Sequence, residues 1–485
     1  MKTLRFSTLV CAALVAALIL SALMVRAQSQ HREPGSAASG SSTASDPGVR
    51  SDAVVVGTPL PSLNSEQLAY FQDGLARFLQ VDSVSGTIGG EPGTGLGPGF
   101  NSNSCASCHA QPAVGGTSPS STAYPFVGPN PQIAAASDAG GSNSIPYFIS
   151  ADGPVREARF PFAVTSSGSL TQTPDGGVHN VFTIAGRSDA PSCAMAQPNF
   201  EKMQSENNII FRIPTPVFGA GMIENIPDAT ILANMASNAQ LKNQLGISGH
   251  PNYSGNDGSI TRFGWKAQNK SLEVFAGEAY NVEIGVTNEL FQTERGNPPA
   301  ACMYNPTPED ETNYTYSGAQ ILSDTVAFAD FMRFLSPPVP SANGIPNNPT
   351  PQSIQAGQAV FNQVHCNMCH TPSLQTGPSN MTPALSNQPA GLFSDLLVHH
   401  MGTGLADNVA QGSAGPDEFR TAPLWGVGQR VFFLHDGRAT PANGGLLTAI
   451  QAHSSHGSEA NQVISLFNQL PPQEKQQLLN FLRSL

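Results

Sequence analysis

The string F-N-x-x-x-C-x-x-C-H occurs twice in the chain, as FNSNSCASCH at 100–109 and FNQVHCNMCH at 361–370. Two thiols two residues apart, with a histidine next in line, can do few things. They can reach the two vinyl groups of one porphyrin and form thioethers, and the histidine is then held under the iron as an axial ligand. Cys105, Cys108 and His109 would make one such site, and Cys366, Cys369 and His370 the other. A zinc site needs about four ligands, usually from C-x-x-C pairs roughly 15–20 residues apart. The pairs here are far more distant, and zinc does not explain why a histidine follows each. A dithiol redox pair leaves both histidines idle. The doubled motif therefore points to two covalently bound haem c groups.

Covalent haem attachment takes place outside the cytoplasm, and the start of the chain agrees. MKTLR is a short basic stretch, FSTLVCAALVAALILSALMV is apolar, and VRA before Gln28 ends on a small residue. This reads as a cleaved signal peptide over 1–27, with a retained membrane anchor as its alternative. The protein is expected in the periplasm. Removing Lys2, Arg5 and Arg26 makes the mature chain more acidic than the formal charge of −12. That argues against nucleic acid and anionic membranes as partners and fits a basic redox donor protein. Cys11 lies in the leader and four cysteines in the motifs, which leaves Cys193 and Cys302. In an oxidising compartment they form a disulfide or remain as buried thiols.

The 47 glycines and 40 prolines make the chain loop-rich without a collagen-like period. Residues 28–64 read as a disordered lead-in. Helical spacing appears in NSEQLAYFQDGLARFLQ, in IPDATILANMASNAQLKNQLG and in VAFADFMRFLSPP. Residues 336–351 carry six prolines and read as a linker between 65–335 and 352–485. SIQAGQAVFNQV, ANQVISLFNQL and PQEKQQLLNFLRSL complete the helices. No alternating run is long enough for a substantial sheet, so a mainly α fold is expected.

The repeat extends past the motifs. FRIPTPVFGAG begins at Phe211 and FRTAPLWGVG at Phe419; FGWKA at 263–267 is then matched by FLHDGRA at 433–439. Trp265 pairs with His435, and the same interval leads from Trp265 to Glu283 and from His435 to His453. A second imidazole would close the second haem for electron transfer, whereas a carboxylate over the first would leave it reactive and move protons. Met401, His399 and His400 compete with His453. His179 or Met222 could instead close the first haem. Trp265 either bridges the haems or is a packed aromatic. Arg212 and Arg420 either pair with haem propionates or cap a turn.

FNSNSCASCHAQPAVGG, RFGWKA, FRTAPLWGVGQRVFFLHDGRA, HGSEA and the second motif together resemble the bacterial di-haem oxidoreductases of the peroxidase-like kind. These are relatives of di-haem cytochrome c peroxidase and the MauG-type enzymes, and the likeness runs from about residue 65 to the C terminus. It implies two cytochrome c-like lobes with long ordered loops, the N-terminal haem reactive and the C-terminal haem passing electrons. It implies Trp265 between the haems, Glu283 as the catalytic carboxylate and His453 as distal ligand. FGWKA departs from the usual FWDG-like turn. No histidine lies between His109 and His179, which would leave the first haem open. A calcium ion between the lobes is possible, with no ligand set that can be matched. The expected activity is reduction of hydrogen peroxide at the first haem with electrons from the second. The competing readings are an electron-transfer cytochrome with both irons closed, and a MauG-like or oxygenase-type oxidation of an organic or protein substrate.

Overall fold

The computed structural model describes residues 43–52, 56–121, 128–165, 167–312, 322–380 and 382–485. The leader read at 1–27 lies outside them. Residues Ala44–Leu485 make one unit. Among the described residues no helix is long and apolar enough to cross a membrane.

The helices that matter to the site run in chain order as α1 (Ser65–Leu79), α2 (Asp228–Ala236), α3 (Ala239–Leu245), α4 (Leu272–Ala279), α5 (Asp324–Phe334), α6 (Pro351–Gln363), α7 (Leu446–Ala452), α8 (Asn461–Gln469) and α9 (Pro472–Ser484). Asn64 starts α1 with a capping box: its side chain accepts from the Gln67 N–H, and the Gln67 side chain accepts from the Asn64 N–H. Thr350 caps α6, whose first residue is Pro351, a position where a missing N–H costs nothing. The stretch 226–246 reads as one helix but forms two, because Ser237 is extended and Asn238 is left-handed at φ 55°. Asparagine tolerates that conformation better than most residues.

Two helix pairs frame the two motifs. α1 packs on α5 and α6 on α9, and each pair closes on a glycine. A Cβ at Gly74 would lie 2.2 Å from the Ala327 carbonyl oxygen, and one at Gly357 would lie 1.9 Å from that of Gln477. Phe71 and Phe78 meet Phe331 at ring distances of 5.4 and 4.8 Å in the first pair. Phe361 meets Phe481 at 5.5 Å in the second. Leu374, Leu392, Leu397 and Trp425 follow the proline-rich stretch in sequence, yet they pack into the first core.

The expectation of a mainly α chain does not hold. Helix makes up 32% and strand 13% of the described residues, so the fold is mixed. Among the described residues the strands form one three-stranded and five two-stranded antiparallel sheets. Most strands are only two or three residues long, too short for alternation to show in sequence. Two of these sheets shape the site. In the first, β1 (Glu157–Arg159) lies between β2 (Val178–His179) and β3 (Ile210–Arg212), with Glu157 opposite Arg212. In the second, β4 (Val398–His400) pairs with β5 (Glu418–Arg420), with Val398 opposite Arg420. The two Phe-Arg repeats thus each end a short strand on an arginine.

The start of the unit is tied to its end. The buried Arg483 guanidinium takes both oxygens of Asp46 at 2.7 Å, and Arg50 donates to the Ser484 carbonyl at 2.9 Å. Cys193 and Cys302 form a disulfide, and the four remaining described cysteines are those of the two motifs.

Candidate active site

The first motif is one helical turn, Cys105–Cys108, followed by His109. His109 Nδ1 lies 2.9 Å from the Gly116 carbonyl. A carbonyl only accepts, so Nδ1 carries the proton and Nε2 keeps its lone pair. Phe78 of α1 meets the imidazole edge-on at 5.9 Å. Burial holds the His109 pKa down at about 4 and pushes the Cys108 thiol up to about 11. A redox dithiol works as a thiolate near neutral pH, and burial here has the opposite effect.

A cavity of about 1120 Å³, its mouth included, opens over this turn. Cys105, Cys108, His109, Glu157, Trp265 and Glu283 line it. Glu283 sits on a π-helical turn, Tyr280–Ile284, which continues α4 and stops at Gly285. Such turns are rare and are frequent at functional sites. Asn101 grips Glu283 twice: its N–H donates to the Glu283 carbonyl at 2.7 Å and its Nδ2 to Oε2 at 2.9 Å. Glu157 faces Glu283 within hydrogen-bond reach, while its Oε1 accepts from Arg159 Nε at 2.5 Å. Burial first, then the charge of Glu157, raises the Glu283 pKa well above the carboxylate range. Burial alone would raise Glu157 as well, but Arg159 and Arg212 outweigh it and leave Glu157 low.

The second motif lies in a larger cavity of about 1620 Å³. His370 Nδ1 is 3.1 Å from the Phe393 carbonyl and His453 Nδ1 is 2.7 Å from that of Ala449. Both imidazoles line this cavity, and neither Nε2 has a hydrogen-bond partner among the described residues. Burial lowers both pKa values, that of His370 to about 4 with His453 as the next cause. Met401 lines the same cavity. His399 is buried with Nε2 3.0 Å from Asp395 and Nδ1 2.8 Å from Glu459, so both nitrogens are engaged. His400 is exposed and holds Asp417 and Glu418. In the first half, His179 stacks on Phe160 and bonds Asp175, and Met222 is buried in the core.

Trp265 lines both cavities. Its Nε1 donates to the Ile213 carbonyl at 2.9 Å, and its ring meets His435, its partner in the repeat, at 6.4 Å. The two arginines of the repeat differ. Arg212 donates to Asp407 at 2.7 Å and to Gln411 at 2.7 Å, so its fork is filled by protein. Arg420 gives Nε to the Gly264 carbonyl, but its Nη1 is buried without a hydrogen-bond partner among the described residues. Arg430 lies beside it. Burial, and for Arg420 also the second guanidinium, brings both pKa values down to about 10.

Residues 168–485 match the family described as "di-haem oxidoreductase, putative peroxidase". The chain belongs to this family. Comparison with curated proteins returns no match. A solved MauG-like protein associated with microbial copper homeostasis is 15% identical over 90% of this chain and 92% of its own, with a TM-score of 0.33. Hydrazine synthase from Kuenenia stuttgartiensis is 19% identical with a TM-score of 0.21; the match spans 34% of this chain and 57% of that one.

In this di-haem oxidoreductase the residues present fit the haem groups that family membership implies. Each cavity carries an unbridged C-x-x-C pair on its wall. Each motif histidine offers a neutral Nε2, with its other nitrogen fixed by a carbonyl as metal-binding histidines usually are. In the second cavity the orphaned Nη1 of Arg420, with Arg430 beside it, lacks the anion that a porphyrin carboxylate would supply. One group of three ionisable donors within 4.8 Å of one another occurs among the described residues: Cys369, Asp395 and His399. Its sulfur and nitrogen do not make the oxygen set that calcium takes. Glu157, Arg159 and Arg430 were not legible as site residues in the sequence, and only pairing and packing bring them in; for Asn101 the doubled Phe-Asn ahead of each motif was the available signal. The doubled Phe-Arg segment was the available signal for Arg420.

Proposed function

We propose that this di-haem oxidoreductase is a periplasmic c-type peroxidase that reduces hydrogen peroxide at the N-terminal haem. Cys105 and Cys108 would hold that haem covalently and His109 would ligate it; Cys366, Cys369 and His370 would do the same for the second, with His453 as a further ligand. When bound, the haems supply the redox-active iron and store the electrons.

The observation that carries this reading is Glu283, a carboxyl on the wall of the cavity that contains His109, held there by Asn101 and pushed above the usual carboxylate range by burial. Splitting a peroxide needs a base to take a proton from one oxygen and an acid to protonate the other. One carboxyl within reach of both oxygens serves both needs, and Asn101 fixes its position. In the second cavity His453 instead presents a nitrogen lone pair near His370, which suits a closed electron-transfer site. Trp265, on the wall of both cavities, is the route between them. A basic donor protein suits the acidic chain.

The test is rapid mixing of the haem-loaded protein with hydrogen peroxide. Glu283→Gln is expected to slow the reaction by ~10²–10⁴-fold while haem content stays at two per chain. A wild type inert to peroxide, or a variant reacting at the wild-type rate, overturns the reading.

A further inference from the structure

We infer that Glu157 is a positioning residue for Glu283: the two carboxyls hold one proton between them, and Glu157 keeps it on Glu283. The inference rests on the peroxidase reading and deepens it.

The pair is assembled from distant parts of the chain. Glu157 opens the central strand β1, and Glu283 rides on the π-helical turn after α4. Both line the cavity of His109. Arg159 Nε donates to Glu157 Oε1, and Arg159 Nη1 is held by the Gly176 carbonyl at 2.9 Å. Asn101 Nδ2 donates to Glu283 Oε2. These two donors leave one oxygen on each carboxyl without an N–H partner among the described residues, and the carboxyls face each other. Two ionised carboxylates in that arrangement repel, and one shared proton removes the repulsion and makes a hydrogen bond.

The surroundings decide where the proton rests. The guanidinium of Arg159 is on Glu157, and Arg212 stands opposite it in the sheet, acting by charge because Asp407 and Gln411 fill its fork. Glu283 has an amide. Arg295 and Glu278 also face the pair, Arg295 tied to the Val178 carbonyl and Glu278 to Asn269. The charge therefore settles on Glu157 and the proton on Glu283. The directions of the two titrations agree: Glu283 is raised by burial and by Glu157, and Glu157 is kept low by its arginines. Exchange within the pair moves one proton from one carboxyl to the other and no electrons. An isolated glutamate is ionised at neutral pH. With Glu157 beside it, Glu283 is loaded as an acid there and is driven to reload after each donation.

The test uses the haem-loaded protein and the infrared carbonyl stretch of protonated carboxyls, followed against pH. Asp82 and Glu309 are buried acids as well, so the signal of interest is the part lost in Glu283→Gln. That part is expected at neutral pH in the wild type. In Glu157→Gln its midpoint should fall by about 1–3 pH units, and Glu157→Asp should bring it back toward the wild type. The pH optimum of the peroxide reaction should move to acid in parallel. If Glu157→Gln does not fold, Arg159→Gln removes the cation and should raise the midpoint instead. An unchanged midpoint in the variant that folds, or no signal lost in Glu283→Gln, overturns the inference. The infrared readout needs no peroxide, so a wild type inert to peroxide sinks the peroxidase reading and leaves this result standing on its own.

Discussion

At the scale of single residues, chemistry is set by which atoms are left free. Three imidazoles give their Nδ1 proton to a backbone carbonyl and so expose Nε2, whereas His399 and His400 spend both nitrogens on carboxylates. The Trp265 indole donates to the Ile213 carbonyl and stands against His435. Phenylalanine keeps the packing and loses that bond. Trp265→Phe is therefore expected to slow electron passage from the second haem to the first, seen as slower re-reduction after a peroxide pulse. Haem content and the separate haem spectra should not change. The two C-x-x-C-H strings were legible because each puts two thiols and an imidazole in one short stretch. Glu283 and His453 became candidates because the chain repeats its order at a fixed interval, and each lines one of the two cavities. Glu157 and Arg430 sit in no repeated or spaced pattern, and only three-dimensional pairing gives them a role.

Among elements, the helices were legible and the sheets were not. α1, α5, α6, α8 and α9 each carry several turns of apolar spacing, bounded by caps or prolines. β1, β3 and β5 are three residues long, yet they carry Glu157, Arg159, Arg212 and Arg420 to the cavities. The expectation of a mainly α chain failed at this scale, because such strands are recognised by their partners alone. The tie between the first described segment and α9 has a measurable consequence. Burial would raise the Asp46 pKa, but Arg483 outweighs it and holds the group below its ordinary value of 3.8. A depressed folded-state pKa gives stability that is full above the ordinary value and is lost as pH falls through the folded one. Asp46→Asn, which strands a buried guanidinium, should cost about 3–5 kcal/mol near neutral pH. The gap to wild type should close in acid, as read from denaturant unfolding against pH.

For the whole molecule, the doubled sequence becomes two cavities with unlike walls. One has the Glu283 carboxyl on the same wall as His109, and the other an imidazole near His370 and the Arg420 guanidinium, whose Nη1 has no hydrogen-bond partner among the described residues. Trp265 is common to both. That asymmetry separates an enzyme from a carrier with two sealed irons, and electron paramagnetic resonance of the fully oxidised, haem-loaded protein reads it directly. The account predicts one high-spin and one low-spin haem in the wild type. It predicts loss of the low-spin signal in His453→Ala, with the high-spin signal unchanged. Two low-spin haems in the wild type, or a low-spin signal indifferent to His453→Ala, would contradict it.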